Sequence, residues 1–203
     1  MENKIAGVIS YLFHPLLIPL YTLLFLLNMN VYFALIIPGS FKLFLIGVIL
    51  LTTMLIPLGF FFLLHRRKLI ISFFMETREE RIYPLLVTGI FYYLTYYLLK
   101  GFHISPIFSF YMLGATFLVV LALVINFYRK ISLHMLGVGG AFGMMLGLSF
   151  NLSLDLIYFV LTALLLSGGV GFARLQTGSH KPSEIYSGFL LGAVVMFLLF
   201  FLI

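Results

Sequence analysis

Seven apolar stretches follow one another along this chain, at roughly 6–29, 41–64, 83–99, 107–127, 133–150, 154–171 and 185–203. Most approach the ~20 residues that a helix needs to cross a bilayer. Lipid leaves backbone N–H and C=O groups no outside partner, so such runs fold as helices. The polar breaks between them are short: "NMN" with "PGS", "HRRK…METREER", "KGFHISP", "YRKIS", "NLSLD" and "ARLQTGSHKPSE". With 63% hydrophobic and 9% charged residues, a soluble domain is excluded. The expected fold is all-α, a polytopic transmembrane bundle of about six to seven spans forming one membrane domain over 1–203.

The start, "MENKIAGVISYLFHPLLIPLYTLLFLLNMN", has an apolar run too long for a signal-peptide core and no small-residue cleavage site. It reads as a retained first span. There is no cysteine, which excludes disulfides, thiolate metal sites and cysteine nucleophiles. The net charge of +6 points to loops at anionic headgroups. No long soluble basic segment is present to hold nucleic acid, so none is expected as a partner.

If seven helices alternate in direction, the breaks at 65–82, 128–132 and 172–184 open on one face, together with the N-terminus. That face carries Lys4, Arg66, Arg67, Lys68, Arg78, Arg81, Arg129, Lys130, Arg174 and Lys181, leaving Lys42 and Lys100 for the other. Such an asymmetry marks the cytoplasmic side.

Three polar clusters share this face: 75–84, 128–134 and 173–184. His134 and His180 each stand near a helix entrance. His180 and Glu184 are four apart, where a carboxylate can accept the imidazole N–H and set its tautomer. The other ring nitrogen then serves attack or proton transfer. His180, Glu184, Gly188 and Gly192 form one stripe at i+4 spacing, and Gly139, Gly143 and Gly147 form another on the helix that begins near His134. This spacing lets helices approach closely in lipid, so the helices after His134 and His180 are expected to pack together.

Arginine forks with two histidines suit a phosphate ester: the guanidinium holds the oxygens, one imidazole attacks, the other protonates the leaving oxygen. Carboxylates are too few for a Mg²⁺ site. His14 in "FHPLLIP", His65 and His103 are left without a role, although ionisable groups within apolar stretches are seldom decorative.

Arg174-x5-His180-x3-Glu184 resembles the third signature of the type 2 phosphatidic acid phosphatase (PAP2) superfamily, S-R-x5-H-x3-D. "ISLH" at 131–134 resembles the end of the second, P-S-G-H, keeping Ser132 and His134. "REERIYP" at 78–84 is a looser echo of the first, K-x6-R-P. The three motifs span about 110 residues in the family's order. Ala173 stands for serine, Glu184 for aspartate and Leu133 for glycine, and no lysine lies six residues before an R-P pair.

The resemblance implies a metal- and cofactor-free lipid phosphate phosphatase. His180 would be the phosphorylated nucleophile, Glu184 its orienting partner and His134 the acid. Arg174, Arg81, Arg78 and Ser132 would hold substrate. Phosphatidic acid, phosphatidylglycerol phosphate and polyprenyl pyrophosphate are the implied candidates. The expected location is a bacterial inner membrane. Two rival readings are an inactive PAP2-like scaffold holding an anionic lipid or partner subunit, and a small transporter, suggested by His14 and helix-breaking prolines at 15, 19 and 57.

Overall fold

The computed structural model describes residues 2–71 and 77–202, with side chains from Lys4 onward. Met75 and Glu76 of the first polar cluster lie outside the described residues. Among the described residues there is no strand, and six helices are long and apolar enough to cross a membrane. The chain is an all-α, multi-pass membrane protein. Its helices gather into two compact units, a terminal one (1–18 with 128–203) and a central one (19–127).

The first apolar stretch is not a continuous span. It forms α1 (Glu2–Leu12) and α2 (Ile18–Asn28), eleven residues each. At 1.5 Å per residue each is roughly 16 Å long, about half the ~30 Å hydrocarbon core. Pro15 explains the break. It lacks an N–H, and it biases the residue before it, His14, away from helical geometry.

In the central unit, a short helix α3 (Tyr32–Leu35) leads to α4 (Gly39–Ile49). A π-helical segment, Leu50–Leu55, joins α4 to α5 (Ile56–Arg66). Together these make 28 helical residues. Pro57 accounts for the widened turn, because its ring would meet the carbonyl four residues back in a regular α-helix. The widened turn packs against α6 (Arg78–Gly101), where Thr95 donates its hydroxyl to Thr52 at 2.8 Å. Helix α7 (Pro106–Asn126) packs along α6.

Helix α6 begins with a capping box. The Thr77 side chain accepts from the Glu80 N–H, and Glu80 accepts from the Thr77 N–H. Glu80 Oε1 also accepts from Ile71 N–H at 2.9 Å. "TREE" is therefore a helix start. It places Arg78, exposed, and Arg81, buried, in the first turns of α6.

The terminal unit holds α1, α8 (Leu133–Asn151), α9 (Ile157–Gln176) and α10 (Pro182–Phe201). Helix α1 lies on α9, and α8 packs on both α9 and α10. Ile18, Met135, Val138, Val170 and Ile185 form a shared apolar cluster. Along α9 the heptad-spaced Tyr158, Leu165 and Phe172 are 79%, 77% and 63% exposed. A stripe that apolar marks a surface made for lipid.

The α8–α10 contact is made by glycine. A Cβ on Gly139, Gly143 or Gly147 would strike the backbone of Phe189, Ala193 or Phe197 in turn. From the other side, Gly188 and Gly192 face Ser132 and Leu136. The partners advance together along both helices, so α8 and α10 run parallel. In lipid, where burial gives helices little reason to associate, such backbone approach supplies the packing contacts.

Candidate functional site

Parallel packing brings the N-termini of α8 and α10 to one end of the terminal unit. Each carries unsatisfied N–H groups and the positive pole of a helix dipole. Helix α9 returns to the same end and stops after Arg174. Gly178, at φ 64°, occupies the left-handed conformation that glycine accepts most readily, and its N–H donates to Leu175 O at 2.9 Å. Lys181 then adopts the extended geometry of a cap, and Pro182 opens α10. His180 therefore precedes the helix and is not part of its face, a correction to the stripe drawn from its spacing.

His180 nevertheless meets Glu184. Its Nδ1 lies 2.6 Å from Glu184 Oε2, with the imidazole 3% and the carboxylate side chain 19% exposed. A carboxylate accepts, so Nδ1–H is the donor and any chemistry of the neutral ring runs through Nε2. The backbone fixes this pair relative to α8, since Ser132 N–H donates to the Glu184 carbonyl at 3.1 Å. Gly188 permits that approach: a Cβ there would lie 2.7 Å from the Ser132 oxygen.

His134, second residue of α8, has Nε2 3.1 Å from the Ser10 carbonyl oxygen. That nitrogen must carry a proton, which leaves the lone pair of the neutral ring on Nδ1. The Arg174 guanidinium and the His14 and His180 rings all lie within electrostatic range of His134. Arg174 is half-buried in the last turn of α9, where a cation also suits the helix dipole. Ser132 is fully buried, and its Oγ has no hydrogen-bond partner among the described residues.

One residue that sequence reasoning left without a role belongs here. His14 stands edge-on to His134, ring centroids 5.7 Å apart and planes at 81°. It sits in the break between α1 and α2, outside the six membrane-length helices. Burial, and then the Arg174 charge, push its imidazole below the usual histidine range. A histidine beside a proline, in an apolar run too short on either side to span, was the available signal.

His134, His180, Glu184, Ser132 and Arg174 thus share one end of the terminal unit. Arg78 and Arg81 belong to the central unit, where Arg78 Nη1 donates to Phe127 O at 3.3 Å. His65 has Nδ1 3.2 Å from Ile70 O in the loop after α5. His103 takes a left-handed turn conformation after α6. Among the described residues no three His, Asp or Glu side chains cluster closely enough to hold a metal ion. Comparison with family models, curated proteins and solved structures found no match in any of the three.

Proposed function

We propose that this chain is an integral membrane phosphatase that hydrolyses a lipid phosphate or pyrophosphate through a phosphohistidine formed on His180. The supporting observation is the convergence, at one end of three packed helices, of a carboxylate-paired imidazole, a second imidazole and an arginine. Two parallel helix N-termini and a guanidinium make that end favourable for an anion. It also lies beside helices whose outer faces suit lipid, where a headgroup is held at the surface and its acyl chains stay in the bilayer.

In the proposed reaction His180 Nε2 forms a bond to phosphorus as the bond to the leaving oxygen breaks. Glu184 holds Nδ1–H and stabilises the charge that the ring acquires. The leaving oxygen takes its proton from His134. With Nε2–H turned to Ser10, that proton comes from Nδ1 of the imidazolium. Water then attacks phosphorus, breaks the N–P bond and frees phosphate. The reaction uses no metal or cofactor. The same His134–Ser10 contact also favours a second reading, a scaffold that holds an anionic lipid without turnover, because it occupies one of the two nitrogens an acid would use.

The test is phosphate release by purified protein from phosphatidic acid, phosphatidylglycerol phosphate and polyprenyl pyrophosphate, with His180→Ala as control. Release by wild type and none by the variant is expected. Equal release by both would overturn the assignment. The proposed orientation, in an inner bacterial membrane, puts the site on the cytoplasmic face, in line with the ten-to-two distribution of cations. Helix α10 then carries the C-terminus to the outer side. A C-terminal reporter that is active only in the cytoplasm should stay silent, and a signal from it would reverse the orientation.

A further inference from the structure

The T-shaped contact between His14 and His134 is half of a two-point attachment. One turn earlier on the same segment, the Ser10 carbonyl accepts from His134 Nε2. Residues 10–14 therefore grip the imidazole of α8 from two sides, and His14 is the member with hydrogen-bonding capacity to spare. Its Nδ1 accepts the Leu16 N–H at 3.3 Å. An acceptor nitrogen carries no proton, so the neutral ring bears its proton on Nε2. That Nε2–H has no hydrogen-bond partner among the described residues. The segments that hold His134 add two hydroxyls: the Oγ atoms of Ser10 and Ser132 are buried with no hydrogen-bond partner among the described residues. Buried polar groups are ordinarily satisfied, so two unpartnered hydroxyls on the segments that hold His134 leave hydrogen-bonding capacity that an anion would use.

We propose that His14 is a further binding residue of this site, donating Nε2–H to an oxygen of the anionic headgroup that Arg174 holds. The assignment rests on the reading that the site takes a phosphate-headed lipid, and it adds a third imidazole that the three sequence motifs do not contain. A neutral donor suits this position. A second cation against Arg174 would be disfavoured, whereas an N–H bond to a phosphate oxygen adds attraction and direction without adding charge. The break at Pro15 has a use in the same terms: it turns the ring off the helix and toward α8.

The test separates donation from ring packing. The full chain is reconstituted in nanodiscs, and its binding to a short-chain phosphonate analogue of phosphatidic acid is measured, with diacylglycerol as the phosphate-free control. The phosphonate is not hydrolysed, so binding is read independently of turnover, and phosphate release from phosphatidic acid is followed in parallel. His14→Phe keeps an edge-on ring against His134 and removes the donor. His14→Gln loses the ring and places an amide N–H close to the Nε2 position. A hydrogen bond to a charged group sets the scale, so His14→Phe should weaken phosphonate binding by roughly tenfold or more. His14→Gln should stay within about threefold of wild type on the same scale. If phenylalanine does not yield monodisperse protein, methionine serves as the donor-free variant.

Wild-type binding by the phenylalanine variant would overturn the proposal, as would equal weakening by both substitutions. So would a wild type that does not prefer the phosphonate to diacylglycerol. Binding that depends on His14 in a protein that releases no phosphate would sink the hydrolase reading alone and leave His14 in the site.

Discussion

Alanine at Gly143 should separate the two helices that carry the site. The added Cβ would lie 2.8 Å from both the carbonyl carbon and the Cα of Ala193, with the carbonyl oxygen closer still. Ordinary contact begins at 3.4 Å, so the shortfall is at least about 0.6 Å. The obstacle is backbone, which cannot swing aside as a side chain can, so α8 and α10 must shift as bodies. Overpacking of this kind costs roughly 1–3 kcal/mol. Gly168 provides the matched control, since it too is inside a helix and a Cβ there meets nothing within 4 Å. The gain in helix propensity from glycine to alanine is common to both and cancels in the comparison. Gly143→Ala should therefore melt below Gly168→Ala by about 2–12 °C, taking roughly 2–4 °C per kcal/mol for a chain of this size. Thermal unfolding of the two variants in one detergent, followed by circular dichroism, makes the measurement. Equal melting temperatures would show that α8 and α10 do not meet backbone to backbone, and the common placement of His134 and His180 would lose its basis.

The charged members of the site should fail in distinguishable ways. Glu184→Gln can keep a hydrogen bond to His180 but loses the charge that supports an imidazolium, so phosphate release should fall steeply without vanishing. Retention of full release would remove Glu184 from the reaction. Arg174→Lys replaces a planar fork with a point charge. It should raise KM for a phosphorylated lipid, and a KM unchanged in steady-state release kinetics would mean that Arg174 does not touch the phosphate.

Helix type and approximate number were legible from local information alone. Apolar runs of membrane length must satisfy their own backbones, so they are helices whatever packs beside them. Glycines four apart identified faces capable of close approach, and the four-residue step from His180 to Glu184 announced their contact even though His180 precedes the helix. Two further local signals bear on where helices begin. Pro15 and Pro19 divide a run whose average composition reads as one span, and Thr77 with Glu80 spells a capping box inside what reads as a loop.

Other features had no local signal. The glycine stripes announced that the helices after His134 and His180 pair, but no property of residues 139–147 states the register in which they meet 189–197. That choice was made by the fit of whole helices. It also placed Ser10 and His14 against His134, more than a hundred residues away in sequence. The sequence by itself determined which segments are helices and which few residues are polar enough for chemistry, because those depend on solvent and on each segment's own backbone. Only the tertiary structure decided which of those residues share a site, and which nitrogen of each imidazole is already engaged, because those depend on distances set by packing between segments that carry no information about one another.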